Sequence, residues 1–264
     1  MATFHVIAGA SETPEHPAIR KIGTDDLKQA LMKGWQDFAA FPSQALFIVL
    51  IYPIVGFILL QLAIGNATLP LLFPLIAGFA LVGPLAAVGL YELSRRRELG
   101  LDTHWTHAFG VLRNPSIYAI AALGVVLLIL FFGWMTSAHA IYMALMGPYA
   151  PDSVGSFLRE VLTTEAGWYL IVVGNAVGFL FAAAVLAIGA ISFPMLVDRD
   201  VGAAAAVWTS IRVVIANPVT MALWGAIVGS LLLLGSLPFF VGLAVVMPLL
   251  GHASWHLYRR AIGP

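Results

Sequence analysis

The chain has 264 residues, 61% of them hydrophobic and only 10% charged, with a formal net charge of +0 and no cysteine; its mean hydropathy is +0.95. A soluble domain carries roughly 25% charged residues, so charge this sparse, set between long apolar blocks, makes lipid the solvent of most side chains. A net charge of zero argues against nucleic acid, which demands a basic face, and the lack of cysteine excludes disulfides, thiolate metal sites and cysteine nucleophiles.

Residues 1–23 read as a cytoplasmic tail, without the apolar core of a cleaved signal peptide. Thr24 then caps a helix whose first turn carries Asp25 and Asp26, favourable at the positive end of the dipole. Leu27, Leu31, Gly34, Trp35 and Phe38 form its apolar face, and Pro42 opens the first of six spans. The spans are predicted over 46–64, 69–91, 116–136, 168–197, 219–234 and 237–258. Short joints, "GNAT" and "GS", tie the first pair and the last pair into hairpins. The outer connection 137–167 is acidic, with Asp152, Glu160 and Glu165, and starts a short helix near Asp152 or Ser153.

Basic residues orient the chain. Arg20, Lys21, Lys28, Lys33, Arg95, Arg96, Arg97, Arg113, Arg199, Arg212, Arg259 and Arg260 all fall on one side, leaving Arg159 alone of the 13 Lys+Arg on the other. Cytoplasmic loops carry such an excess, so both termini are expected inside.

Two internal echoes suggest a triplicated plan. "WTHAFGVLRNP" and "WTSIRVVIANP" place Trp105 and Trp208, Asn114 and Asn217, Pro115 and Pro218 in register. Asn is a strong N-cap and Pro fits the first helical position, so Asn-Pro should open the third and fifth spans. The segments before it read as surface helices with one apolar face. Trp105 and Trp208, with Trp35 in the weaker first copy, are expected to anchor them at headgroup level. "VGPLAAVGLYELSRR" and "VMPLLGHASWHLYRR" likewise match at Pro84 and Pro248 and at their terminal arginines. The predicted fold is all-α: one membrane domain, 24–264, of three repeats (about 24–91, 101–197 and 203–260), each a surface helix followed by a two-span hairpin.

With "GWQDF", the two "W…NP" elements and the "RRRELG" loop, the chain resembles the proteobacterial family called domain of unknown function 2189. Some of its members are labelled as resembling cytochrome c oxidase subunit I. The resemblance implies an integral protein of the bacterial inner membrane and supplies no catalytic residue. Haem–copper oxidase subunits need a set of intramembrane histidines that this chain lacks.

Candidate sites are few. His104 and His107 are three apart, His252 and His256 four apart, so each pair shares a helix face. All four lie at one membrane level, which makes them the candidate ligands for copper, zinc or haem; the competing reading is polar residues at span ends. Within the membrane, polarity is limited to Asn175 and Gln61, with Asn175 read as bonding across to a neighbouring helix. The absence of a mid-span carboxylate argues against ion coupling. No phosphate loop or Ser/His/Asp order is recognisable. The leading reading is therefore non-enzymatic and without a cofactor: an inner-membrane accessory or assembly factor whose partner is lipid or another membrane complex. Alternatives are a transporter or channel for a small neutral or hydrophobic solute, and a haem- or copper-binding respiratory component.

Overall fold

The computed structural model describes residues 17–40, 69–149, 151–238 and 240–262. The first predicted span and Gln61 lie outside the described residues. In chain order the elements are α1 (Thr24–Ala40), the 3₁₀ turn η1 (Leu69–Leu71), α2 (Leu72–Leu81), α3 (Gly83–Ala86), α4 (Val88–Glu98) and the 3₁₀ helix η2 (Trp105–Arg113). There follow α5 (Ile117–Met146), α6 (Val154–Thr163), α7 (Glu165–Gly189), α8 (Ser192–Asp198), α9 (Ala203–Ala216), α10 (Pro218–Ser236) and α11 (Leu243–Ile262). Among the described residues every regular element is helical.

Prolines divide the apolar blocks as their chemistry requires. Pro84 sits in the first turn of α3, so the second predicted span is three short helices in line, and its last helix runs on to Glu98 with Arg95, Arg96 and Arg97 in its final turn. Pro194 follows the break between α7 and α8, whereas Pro248 is accommodated inside α11. Among the described residues three stretches are long and apolar enough to cross a membrane: Ile117–Met146, Glu165–Asp198 and Pro218–Ser236.

Four boundaries differ from the sequence reading. The third span does not stop at Thr136; α5 continues for 30 residues because nothing breaks it before Gly147, whose φ is +83°. Within it the Thr136 and Ser137 hydroxyls donate to the carbonyls of Phe132 and Gly133. The last joint is longer than "GS": α10 runs through Ser236, and the chain turns over 237–242, where Phe240 has φ +64°. Thr24 is the first residue of α1 rather than its cap, and the Asp26 carboxylate accepts the Gly23 N–H at 2.9 Å. The second surface element is 3₁₀ rather than α. One flank is held where Arg96 Nε donates to Asp102 O at 2.9 Å, the other where Asn114 Nδ2 donates to Val197 O at 3.0 Å. A 3₁₀ rise of about 2.0 Å per residue covers more distance with nine residues than an α-helix does.

The core lies at one end of the bundle. Ile191, Phe193, Met195, Leu196, Trp255, Leu257 and Tyr258 are all at most 1% exposed. The middles of α5, α7 and α10 instead expose Ile129, Phe132, Val172, Phe179 and Leu233. Around the buried end lie the three short elements: α1 along α11, η2 along α4, and α9 along α7 and α8. The α1–α11 contact is backbone-close. A Cβ on Gly34 would fall 2.8 Å from the Ala253 Cβ, and one on Gly251 would fall 2.4 Å from Leu90 Cδ1.

Gly34→Val should therefore push α1 off α11 and cost about 1–3 kcal/mol by overpacking. Gly229→Ala, where an added Cβ meets nothing within 4 Å, serves as the control. Thermal unfolding in detergent should show a clear drop for the first and little change for the second; equal midpoints would contradict the close packing.

Candidate functional site: a polar clasp at the buried end

The buried face of α1 is Leu27, Ala30, Gly34 and Asp37. The first three are apolar or small; the fourth brings a carboxylate, 5% exposed, against α4 and α11. Its Oδ2 accepts from Ser94 Oγ at 2.6 Å and from His256 Nε2 at 2.8 Å, while Oδ1 accepts from Arg97 Nη1 at 2.8 Å. Burial alone would raise the Asp37 carboxyl. The hydrogen bonds from His256 and Ser94, with the electrostatic pull of both histidines, outweigh it and hold the carboxyl below the usual carboxylate range.

Ser94 also lies 2.8 Å from His252 Nδ1. A hydroxyl has one proton, and the ionised carboxylate takes it. Ser94 must then accept from His252, which fixes the proton of that imidazole on Nδ1. This is the reverse of a nucleophile relay, in which the imidazole accepts the hydroxyl proton and the carboxylate orients the imidazole. With Ser94 1% and His252 0% exposed, the trio fastens helices together and leaves no room for a substrate.

A second group of bonds extends the clasp to α8. Glu98 accepts from Trp255 Nε1 at 3.0 Å and from Arg259 Nε at 3.0 Å. Asp198 accepts from the Tyr258 hydroxyl at 2.6 Å, and Arg259 reaches it at 3.4 Å. Arg259 thus links the ends of α4 and α8 from its place on α11. Glu92 holds Arg95 through two bonds, at 2.9 and 3.3 Å. Arg260 ties α11 back to α1 through Asp26, at 3.6 Å, and through Gln29.

The four candidate histidines divide between two settings. His252 and His256 belong to the clasp. His104 and His107 close the start of η2 on each other: the His104 N–H donates to His107 Nδ1 at 3.0 Å, and the rings lie 6.5 Å apart. The surface element packed along α11 is α1, whereas the second surface element packs along α4. No group of three or more His, Asp or Glu able to hold a metal ion occurs among the described residues.

The two asparagines stand at helix starts but do not cap them. Asn217 precedes Pro218 at the head of α10 without a side-chain cap bond. Its Oδ1 accepts the Ile22 N–H at 2.9 Å and its Nδ2 donates to Arg20 O at 3.1 Å. Asn114 accepts the Ser116 N–H at 2.8 Å and donates to Val197 O, so α5 opens only at Ile117. Each asparagine therefore hooks the chain segment leading toward another surface element. Trp35 and Trp208 are 52% and 54% exposed, and Trp105 is half-buried. Asn175 does not bond across to a neighbour; its Nδ2 donates to Ile171 O of its own helix at 2.7 Å.

Asp37, Ser94, Arg97, Glu98 and Asp198 were not singled out by sequence. The available signal was position: Asp37 recurs at i+3 from Gly34 and i+7 from Ala30, on the face that Leu27 begins.

Three membrane-length apolar stretches, with charged groups gathered at one buried end, define a helical integral membrane protein. Residues 71–198 match the model of the family described as predicted integral membrane protein (DUF2189). No curated protein and no solved structure matches the chain.

The clasp predicts an acid dependence. Asp37→Asn keeps the shape but removes the charge, and should cost about 1.5–3 kcal/mol near neutral pH. A carboxyl held low stabilises the fold above its unfolded pKa of about 3.9 and loses that contribution as pH falls through the folded value. The gap between wild type and Asp37→Asn should therefore narrow as pH falls below the unfolded pKa of about 3.9. Unfolding midpoints in detergent above and below that pH would read it; a gap independent of pH would remove the charge from the account.

Proposed function

We propose that the protein is a six-pass protein of the bacterial inner membrane, with both termini cytoplasmic, that works without catalysis as an accessory or assembly factor seated in lipid. The observation that carries this reading is the orientation of the three short elements. Toward the core α1 turns Leu27, Ala30, Gly34 and Asp37, and α9 turns Ala206, Thr209, Ser210 and Val213. Outward they turn Met32 and Trp35, Phe109 and Leu112, Trp208 and Ile215, each at least 52% exposed. Exposed basic residues, Lys28, Lys33 and Arg113, stand among them. Bulky apolar side chains beside cations suit the headgroup layer of an anionic leaflet and are ill suited to water.

A triplicated build is supported by the way the elements close on one another. Each short element lies on the last helix of the preceding hairpin, and α1 lies on the last helix of the chain. The hooks of Asn114 and Asn217 repeat that relation at the level of single hydrogen bonds. Against a metal or haem centre stands the engagement of His252 and His256 with Ser94 and Asp37.

Because the chain has no cysteine, single-cysteine labelling tests the topology cleanly. A cysteine replacing Val154 should react with an impermeant thiol reagent from the periplasm, and one replacing Lys33 should react only after the membrane is opened. In proteoliposomes with brominated acyl chains, Trp35 and Trp208 should be quenched, as judged from the signal lost on replacing each by Phe. Labelling of Lys33→Cys from outside, or tryptophans unaffected by the brominated lipid, would overturn the reading.

A further inference from the structure

At the end of the bundle away from the clasp, η1, α2, α5, α6 and α7 enclose a cavity of about 360 Å³. Its wall is apolar, with Phe73, Ala138, Ile141, Leu158 and Leu170 among the lining residues, and carries no charged side chain. The lid is α6, capped where Ser153 Oγ accepts the Ser156 N–H at 3.1 Å. It is folded back onto α7 so tightly that a Cβ on Gly167 would fall 2.3 Å from Val161 O.

Three side chains bring polar atoms to this wall, and two of them are engaged. Trp134 Nε1 donates to Pro74 O at 2.7 Å, and the Tyr142 hydroxyl donates to Tyr149 O at 3.2 Å. The third is Asn175. Its bond to Ile171 O settles which way the amide points, because a backbone carbonyl can only accept. The Asn175 Oδ1 is therefore directed away from its own helix backbone, and no donor to it is found among the described residues. Asn175 lies ten residues beyond the start of α7, about 15 Å along the helix, within a stretch of membrane length. At that depth water is scarce and an acceptor without a donor is costly.

We infer that this cavity binds a neutral, largely apolar molecule bearing one hydroxyl, whose O–H donates to Asn175 Oδ1. The uncharged wall rejects ions. The volume is at the lower end of ligand pockets, which excludes an entire phospholipid. Entry is from the lipid, since the lining residues Phe73 and Leu158 are 59% and 50% exposed. The inference does not depend on the accessory role proposed above.

The test uses two probes of equal heavy-atom count, 1-decanol and its ether isostere 1-methoxynonane, titrated against the purified full-length protein in nanodiscs. Binding is read by the shift in thermal unfolding. Decanol should stabilise saturably, with an apparent affinity about tenfold above that of the ether, as expected for one hydrogen bond out of water. Asn175→Leu should erase the difference between probes while still binding both. Gly174→Leu, where an added Cβ meets nothing within 4 Å, projects into the cavity and should abolish the response to both. Equal response of the wild type to the two probes would overturn the inference. So would discrimination that survives in Asn175→Leu, or a response to decanol that persists in Gly174→Leu.

Discussion

A buried carboxylate must find donors, and Asp37 finds three on two other helices. Ser94 and Arg97 come from α4, His256 from α11, and the carboxylate that joins them stands on a helix whose other buried residues are Leu27, Ala30 and Gly34. The same constraint shapes everything at that end. Charges excluded from hydrocarbon collect where the helices emerge, and once crowded there they stabilise the fold only when paired. Arg259 between Glu98 and Asp198, and Arg260 on Asp26, complete the pairing. Four elements far apart in sequence are thereby fixed at their ends, and the apolar helices beyond them need no further polar contact.

The two kinds of surface on the short elements follow from this arrangement. Glycine and alanine face inward because α1 approaches α11 at backbone distance, which leaves no room for larger side chains. Large apolar residues are displaced to the outer face, opposite to a helix on a soluble domain. An apolar exterior is stable only where lipid replaces water. Asn114 and Asn217 then hold the connecting segments by backbone bonds, and backbone recognition tolerates change in the residues being held.

The sequence was readable where it obeyed hydrocarbon. Apolar blocks marked the long helices, and of the two matched prolines Pro84 divides its span whereas Pro248 sits within an unbroken helix. Ser153 announced α6. Asn217 directly precedes its helix whereas Asn114 ends η2 and leaves α5 to open at Ile117, and their partners, Arg20, Ile22 and Val197, lie too far along the chain for any local pattern to reveal. Helix ends slipped where a run had no breaker, as from Thr136 to Met146. The clasp was hidden for a different reason. Periodicity places Leu27, Leu31, Gly34, Trp35 and Phe38 on the apolar face of α1; burial keeps Leu27 and Gly34, leaves Trp35 exposed, and adds Ala30 and Asp37. Asp37 looks like an ordinary solvated charge until α11 is placed beside it.

The length of α5 adds a variable that composition does not disclose. Thirty residues make a rod of about 45 Å, against about 30 Å of hydrocarbon in an average bilayer. Such a helix must tilt or stand proud of one leaflet. Its last three turns form one wall of the cavity and carry Tyr142, whose ring lies 6.4 Å from that of Phe157 on α6. The height of the headgroup layer along this wall then sets how much of α6 is wetted. A thicker membrane would submerge the lid and a thinner one would leave it in water, so the bilayer itself becomes a gauge that the end of the molecule away from the clasp reads.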